Sequence, residues 1–119
     1  MQRIMLKSKL HQARITRSDL YYEGSLTIDA ELMEKADIKD YEQVYVYNIN
    51  TGDRFETYAI PGPRGKRTIG LNGAAARKGH VGDRIIIVTY ASIDEKELLN
   101  YKPTVVLLDS ENEIKEEVE

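Results

Sequence analysis

The chain has 119 residues, with 17 Lys and Arg against 20 Asp and Glu, two His, and neither Cys nor Trp. This length suits a single domain, and a hydrophobic share of 41% with 31% charged residues is typical of a globular protein rather than a disordered one. The lack of cysteine excludes disulfides, thiolate metal sites and a cysteine nucleophile.

The acidic excess is concentrated at the C-terminus. Residues 109–119 hold six acids and one base, whereas the other 108 residues carry 16 bases and 14 acids. We interpret 109–119 as a solvated, partly mobile acidic tail. The nearly neutral body gives little long-range attraction for nucleic acid, and no apolar run approaches the roughly 20 residues that span a bilayer. No signal peptide is recognisable, so we expect a cytoplasmic protein with no membrane partner.

In chain order, the first half predicts short strands and one helix. Residues 3–16 predict one strand or two half-buried ones, and 26–28 another. Residues 29–36 predict a helix that Asp29 caps, with acids in its first turn and a lysine late. Residues 44–49 are β-branched and aromatic, and turn residues at 50–53 join them to an alternating segment at 54–59, which predicts a hairpin.

The second half continues the same pattern. Residues 61–65 predict a loop, 68–71 a short strand, 72–77 a loop or helical turn, and 79–83 a turn. Residues 84–91 predict the strongest core strand, apolar enough to be buried on both faces. One or two helical turns at 94–100 and a last strand at 104–108 follow. Many short strands with brief helices predict a small closed β-barrel within one domain, 1–119.

The usual catalytic and metal-binding patterns are missing. The Gly-Pro-Arg-Gly-Lys sequence at 62–66 lacks the spacing and the Ser or Thr of a phosphate loop, and no G-x-S-x-G motif is present. His11 and His80 have no ligand-like spacing, so we expect no metal site.

The Gly24–Ser25 pair admits a different chemistry. A serine after glycine can attack the preceding carbonyl, because glycine tolerates the strained backbone that this approach needs. The peptide bond shifts to an ester, β-elimination releases the upstream chain, and hydrolysis of the dehydroalanine leaves a pyruvoyl group. Taken alone, a turn is the more common meaning of a Gly-Ser pair.

Several separate motifs around this pair resemble the aspartate 1-decarboxylase family. They are Arg-Ile-Met-Leu at 3–6 with Lys9 and His11, Asp-Leu-Tyr-Tyr-Glu-Gly-Ser at 19–25, Ile-Asp at 28–29, Asn-Ile-Asn-Thr-Gly at 48–52, Arg-Phe-Glu-Thr-Tyr at 54–58, Leu-Asn-Gly-Ala-Ala-Ala-Arg at 71–77 and Gly-Asp at 82–83. The resemblance runs from residue 3 to about residue 88 and keeps the family's spacing.

The resemblance implies an enzyme that converts L-aspartate to β-alanine and CO2 for pantothenate and coenzyme A synthesis. It implies a six-stranded double-psi β-barrel, a homotetramer with active sites between neighbouring subunits, and self-cleavage into a β chain (1–24) and an α chain (25–119). The implied cofactor is a covalent pyruvoyl group from Ser25, with no metal and no pyridoxal phosphate; a maturation factor stays an open question.

The resemblance also implies roles for individual residues. The pyruvoyl group at Ser25 forms a Schiff base with the aspartate amine, and Tyr58 is the proton donor. Substrate-binding positions are Lys9, Arg54, Thr57, Asn72, Gly73, Ala74 and Ala75, and His11, Tyr22 and Tyr47 are pocket residues. From the residues alone, we would interpret Tyr58 as a strand aromatic at the barrel surface, and a surface salt bridge from Arg54 to Glu56 or Glu42 would be favoured. Lys9 would be a solvated strand lysine.

The sequence departs from the family pattern in two places, at position 47 and at the pair 66–67. Tyr47 stands where the family often has Trp, which keeps an aromatic wall of different size. Lys66 and Arg67 replace small residues, and we place them on the rim.

Two alternatives remain. One is a non-catalytic barrel that binds nucleic acid or a protein through a basic patch at Arg64, Lys66, Arg67, Arg77 and Lys78, although a single Phe offers little stacking surface. The other is a relative that folds but never matures.

Overall fold

The computed structural model describes residues 1–118, with side chains through residue 115. Nine strands dominate the fold, and between them lie one short α-helix and two 3-10 segments. The strands are β1 (Gln2–Arg14), β2 (Arg17–Asp19), β3 (Ser25–Asp29), β4 (Gln43–Asn48), β5 (Arg54–Gly62), β6 (Ile69–Asn72), β7 (Arg84–Asp94), β8 (Thr104–Leu108) and β9 (Ile114–Val118). The helix is α1 (Ala30–Ala36), and the 3-10 segments are Gly73–Lys78 and Glu95–Glu97. The mainly-β class with short helices is therefore confirmed.

The strands form one hydrogen-bonded sheet in the order β2-β6-β3-β5-β4-β7-β1-β8-β9. β1 and β2 are separated by only two residues, Ile15 and Thr16, and the Thr16 amide donates to the Ile69 carbonyl at 2.8 Å. The chain itself thus joins the strand that pairs with β7 to the strand that pairs with β6. Counting β1 and β2 as one, β1 to β7 make six strands, the number in a six-stranded barrel. Strand pairing does not close the sheet within residues 1–118, so closure and the double-psi pattern of connections stay predictions.

The core that these strands cover is apolar. Every second residue of β4 and β7 faces inward, so that Val44, Val46, Ile85 and Ile87 are fully buried. The expectation that 84–91 is buried on both faces was wrong at its outer positions, because Ile86 is only half-buried and Tyr90 is 39% exposed. One side of β7 therefore belongs to the core and the other to an outer surface.

Helix α1 follows β3 directly and covers one end of the core. The Asp29 carboxylate caps it by accepting from the Glu31 amide at 2.8 Å, as predicted. The helix ends at Asp37, whose backbone is left-handed (φ 57°). The Asp37 amide donates to the last carbonyls of the helix. Leu32, Met33 and Ala36 form the buried face.

Asp29 has a second set of partners in the loop after β5. Its carboxylate accepts from the amides of Gly65 and Arg67, and the Arg67 guanidinium lies 3.2 Å from the same carboxylate. Arg67 also pairs with Glu31 at 2.7 Å and Glu113 at 2.8 Å, and its side chain is only 18% exposed. The placement of Arg67 on the rim was therefore wrong, because three carboxylates hold it beneath the surface, whereas Lys66 is exposed.

Residues 109–118 of the acidic C-terminal segment form a turn and a strand rather than a tail. Residues 109–113 form a turn, and β9 pairs antiparallel with β8. The buried Asn112 side chain fixes this hairpin by donating to the carbonyls of Arg14 and Arg67. Glu119 lies outside the described residues. No helix within residues 1–118 is both long and apolar enough to cross a membrane.

Candidate active site

The Gly24–Ser25 peptide stands at the point where the chain enters β3. Ser25 is 1% exposed and has φ of +143°, a backbone region that residues with a side chain rarely occupy. Such conformations persist only where surrounding contacts enforce them, and they cost roughly 1–3 kcal/mol. The Gly-Ser junction is therefore not an ordinary turn.

Both reacting atoms of this junction are held by hydrogen bonds. The Tyr58 hydroxyl donates to the Gly24 carbonyl oxygen at 2.8 Å, and the Asn72 side-chain amide donates to the Ser25 hydroxyl oxygen at 2.9 Å. A donor on the carbonyl oxygen favours the negative charge that develops there when a nucleophile adds. The hydroxyl that could attack this carbonyl belongs to the next residue, so a candidate electrophile and a candidate nucleophile lie in one peptide, exposed at Gly24 and buried at Ser25.

Gly73 brings the next segment against this peptide. Its φ is +64°, and a Cβ at this position would lie 2.8 Å from the Tyr22 carbonyl oxygen and 3.0 Å from both the Cα and the nitrogen of Gly24. No real Cβ tolerates contacts this short with backbone. The close approach, more than the turn, requires glycine here.

A cavity of about 240 Å³ opens beside the Ser25 hydroxyl. Thr57 reaches it from the inner face of β5, since Thr57 pairs with the buried Val44 and Tyr58 faces the opposite side, as strand alternation predicts. The cavity is lined by Gly24, Ser25, Phe55, Glu56, Thr57, Asn72, Ala74, Ala75 and Lys78. A larger cavity of about 500 Å³ lies beside the β8–β9 hairpin, but none of the residues that line it is a predicted site residue.

We call Gly24, Ser25, Thr57, Tyr58 and Asn72 to Ala75 the Ser25 cluster. The structure brings all of these predicted residues together. Tyr22 borders the cluster through its backbone, next to Gly73, while its half-exposed ring lies 5.9 Å from the Arg17 guanidinium.

The remaining predicted residues form a separate group on the outer face of the barrel. Lys9, His11, Tyr47 and Arg54, which we call the Arg54 cluster, alternate with core residues along β1, β4 and β5. The Arg54 guanidinium lies 4.0 Å from the centre of the Tyr47 ring, a cation–π contact. The alternative ion pairs of Arg54 do not form among the described residues, and Glu42 pairs with Lys7 at 3.3 Å instead.

Two side chains in or beside the Arg54 cluster, His11 and Tyr90, have shifted pKa values. Burial, followed by the charge of Lys9, lowers the pKa of His11, whose Nδ1 has no hydrogen-bond partner within the described chain. The Tyr47 and Tyr90 hydroxyls are 2.8 Å apart, and this hydrogen bond, with burial, raises the pKa of Tyr90. Both effects favour the neutral form of the His11 ring, and its Nδ1 is buried.

The two clusters do not meet within one chain. Arg54 and Tyr58 share a face of β5 but are four residues apart, about 13 Å along the strand. Lys9 lies level with Glu56 across three strand spacings, about 14 Å. At the backbone these separations are longer than a four-carbon amino acid, and among the described residues no hydrogen bond or ion pair joins the two clusters.

Sequence reasoning missed some residues at the site. Thr27 accepts a hydrogen bond from the Asn72 amide at 2.8 Å, and Lys78 and Phe55 line the cavity. The period of two along β3 places Thr27 on the face of Ser25, and that signal was available. Among residues 1–118, no group of three or more His, Asp or Glu side chains is arranged to hold a metal ion.

Comparison with known proteins gives a consistent result. The family model described as aspartate decarboxylase matches residues 1–115. An aspartate 1-decarboxylase from Syntrophobacter fumaroxidans is 61% identical over 112 residues, which cover 94% of this chain and 90% of that protein. The protein of the same name from Ralstonia nicotianae is 56% identical over 116 residues, 98% of this chain and 97% of the relative. That from Desulfotalea psychrophila is 57% identical over 112 residues, 94% of each.

Proposed function

The chain belongs to the aspartate decarboxylase family, and from that premise we propose that it converts L-aspartate to β-alanine and CO2 for pantothenate and coenzyme A synthesis. We further propose that its reactive group is a pyruvoyl group made from Ser25 when the chain cleaves itself after Gly24. One observation carries this proposal: the strained Gly24–Ser25 peptide, exposed at Gly24 and buried at Ser25, has a donor on its carbonyl oxygen and another on the adjacent hydroxyl.

The atoms that take part in the bond changes of the cleavage come from this chain and from water. The Ser25 hydroxyl oxygen bonds to the Gly24 carbonyl carbon, the C–N bond breaks, and the Ser25 nitrogen takes the hydroxyl proton, which leaves an ester. Loss of the Ser25 α-proton breaks the Cβ–O bond and releases Gly24 as a carboxylate. Water then adds to the dehydroalanine, ammonia departs, and a ketone remains at position 25. The Tyr58 hydroxyl stabilises the oxyanion of the first step.

The residues present fit a pyruvoyl group at position 25, because a small cavity adjoins Ser25 and glycine and alanine leave backbone close by. The carbonyl of that group supplies an electron sink for the pair left by departing CO2. Tyr58 holds a donor hydroxyl beside position 25, which suits it to return a proton to the substrate carbon. Thr57 and Asn72 contribute polar atoms to the cavity, and Ala74 and Ala75 keep it open.

The substrate carboxylates require cations. Lys78 lines the cavity but lies 3.8 Å from Asp53, and Arg54 and Lys9 belong to the separate Arg54 cluster. We propose that Arg54 and Lys9 of a neighbouring subunit bind the carboxylates in a homotetramer, with His11, Tyr47 and Tyr22 around the pocket. A guanidinium matches a carboxylate with two parallel hydrogen bonds, and its contact with Tyr47 fixes its plane. The exposure of the Arg54 cluster and its distance from Ser25 support this arrangement.

The non-catalytic binding module is not favoured. The basic side chains proposed for its patch are partly neutralised: Arg64 pairs with Glu34 at 2.9 Å, Arg67 with three carboxylates, and Lys78 lies 3.8 Å from Asp53.

Denaturing mass spectrometry of the purified chain, with CO2 release from aspartate, tests the proposal. We expect fragments 1–24 and 25–119, the larger without a free α-amine, and decarboxylase activity in the same sample. Ser25→Ala should stay intact and release no CO2, while Ser18→Ala, an exposed serine on β2, should behave as the unaltered chain. A Ser25→Ala chain that still released CO2 would disprove the mechanism.

A further inference from the structure

Thr27 is a buried hydroxyl residue two positions after Ser25 on β3. It is 4% exposed, and the period of two places its side chain on the same face as Ser25. Opposite them on β6, Ser25 pairs with Asn72 and Thr27 with Gly70. Asn72 is therefore directly opposite Ser25 and diagonal to Thr27, and its side chain contacts both hydroxyls.

The Asn72 amide uses both of its hydrogens on these hydroxyls. It donates to the Ser25 oxygen at 2.9 Å and to the Thr27 oxygen at 2.8 Å. The two N–H bonds of a planar amide point in fixed directions, so two such hydrogen bonds determine the orientation of the amide plane. If the bond to Thr27 is lost, the plane can rotate, and the Ser25 oxygen loses its fixed position.

Thr27 is itself held by its neighbours on both sides. A Cβ at Gly62 would lie 2.8 Å from the Thr27 methyl group, so that methyl occupies the space a side chain on β5 would take. On the other side the Arg17 guanidinium crosses Gly70, where a Cβ would lie 3.3 Å from its Nε, and reaches the Thr27 hydroxyl at 3.4 Å. The hydroxyl thus points toward Asn72 because its methyl is fixed against Gly62.

We propose that Thr27 is a positioning residue for self-cleavage, which orients Asn72 and through it the Ser25 hydroxyl for attack on the Gly24 carbonyl. This inference rests on the proposed self-cleavage of Gly24–Ser25. Attack requires the oxygen close to the carbonyl carbon and correctly aligned, and small displacements at such a distance lower rates strongly. Thr27 touches neither reacting atom and acts only through Asn72.

The test is the rate at which freshly synthesised precursor, made in a cell-free reaction and stopped at timed intervals, separates into two fragments. Thr27→Val keeps the shape and removes the hydroxyl, and we expect cleavage about threefold to tenfold slower, as for one lost neutral hydrogen bond. Thr27→Ser keeps the hydroxyl and should cleave within about twofold of the unaltered rate. Thr89→Val is the matched control, because Thr89 is also buried and its hydroxyl bonds to Ser8 on the far side of the barrel.

The outcomes separate this inference from the proposed function. If the unaltered chain does not cleave, the proposed function fails; if it cleaves and Thr27→Val keeps its rate, only the inference fails. Slowing by Thr27→Ser as large as that by Thr27→Val, or by Thr89→Val as large, would also overturn it. Thermal unfolding midpoints of all chains are measured in parallel, and Thr27→Ala replaces Thr27→Val if the latter does not fold.

Discussion

The Ser25 cluster and the Arg54 cluster are built in opposite ways. In the first, Ser25 and Asn72 are buried, and Tyr58 and Asn72 bond directly to the peptide that is proposed to react. In the second, Arg54 lies on an exposed outer face and stacks on Tyr47, with no acid beside it among the described contacts. The contacts of the Ser25 cluster form within a single chain, whereas the Arg54 cluster exposes a cation that has no acidic partner among the described contacts.

This difference separates the two steps of the proposed chemistry. Self-cleavage joins groups that are neighbours in the sequence, so folding of one subunit is enough to align them. Binding an amino acid with two carboxylates requires positive charge, and we propose that a second copy brings Arg54 and Lys9 to Ser25. Closed symmetric assemblies allow each subunit to give one half of a site and receive the other. Variants in each cluster should therefore affect self-cleavage and decarboxylation differently.

The largest expected effect comes from Gly73→Ala in the Ser25 cluster. The added methyl group would lie 2.8 Å from the Tyr22 carbonyl oxygen and 3.0 Å from Gly24, so the segment before the cleaved bond must move. We expect no cleaved product over the time in which the unaltered chain cleaves completely, and consequently no decarboxylation. Denaturing mass spectrometry over a time course measures this.

Gly52→Ala is the matched control for this change. Gly52 also has a positive φ, +81°, but a Cβ there meets nothing within 4 Å. It carries the same kind of backbone strain without the contact, and should cleave normally at some loss of stability. Equal loss of cleavage in both chains would contradict the role of close approach at Gly73.

The next largest effect comes from Arg54→Ala in the other cluster. We expect self-cleavage within about twofold of the unaltered chain and a decarboxylation rate lower by about a hundredfold to a thousandfold, since a charged hydrogen-bonding partner of the substrate is lost. Arg64→Ala, at an exposed arginine that pairs with Glu34, should leave both steps unchanged. Arg54→Ala that blocked cleavage would show that the clusters are not independent.

A mixture of altered subunits tests whether Ser25 and Arg54 of one active site come from different chains. Ser25→Ala and Arg54→Ala chains are each inactive, but a site that takes Ser25 from one and Arg54 from the other is intact. Random co-assembly of equal amounts should restore about a quarter of the unaltered activity. If both groups came from one chain, the mixture would stay as inactive as its components.

The fold was largely predictable, because hydrophobic alternation decides it locally. The hairpin at 44–59, the core strand at 84–91 and the helix capped by Asp29 all follow from periodicity and turn chemistry. β2 and β9 were missed because neither is apolar: β2 is Arg-Ser-Asp, and β9 carries acids that resemble a solvated tail. The partner of β2, β6, is also distant in sequence, and local propensity contains no information about such pairing.

The Ser25 cluster was predictable only in its membership. The residues named from the family motifs do meet, but nothing in the motifs places Tyr58 on the Gly24 carbonyl or Asn72 between two hydroxyls. Arg67 shows the opposite failure. As one of several loop bases it looks like surface charge, and only the folded chain brings Asp29, Glu31 and Glu113 around it.

The smallest predicted effect concerns Asp29, at the opposite end of β3 from Ser25. Burial alone raises the pKa of Asp29, but hydrogen bonds from the amides of Gly65, Arg67 and Glu31 and from the Arg67 side chain outweigh it, so its pKa lies below the usual value. Asp29→Asn keeps a good helix cap and removes the charge. We expect unfolding free energy at pH 7 to fall by roughly 1–3 kcal/mol, with self-cleavage retained, because the Ser25 cluster has its own contacts.

The pH dependence identifies the charge as the cause. A carboxyl group with a lowered pKa stabilises the fold fully above its unfolded-state pKa of about 4, and that stabilisation is lost as the pH falls through the folded-state value. The difference between the unaltered chain and Asp29→Asn in urea unfolding should therefore stay constant from pH 7 to about 4 and narrow below it. Asp40→Asn, at an exposed acid, should show no such difference. A gap that stayed the same at pH 3 would assign the stabilisation to the shape of the side chain, and the carboxylate would then have no electrostatic part in holding β3 to the loop that carries Arg67.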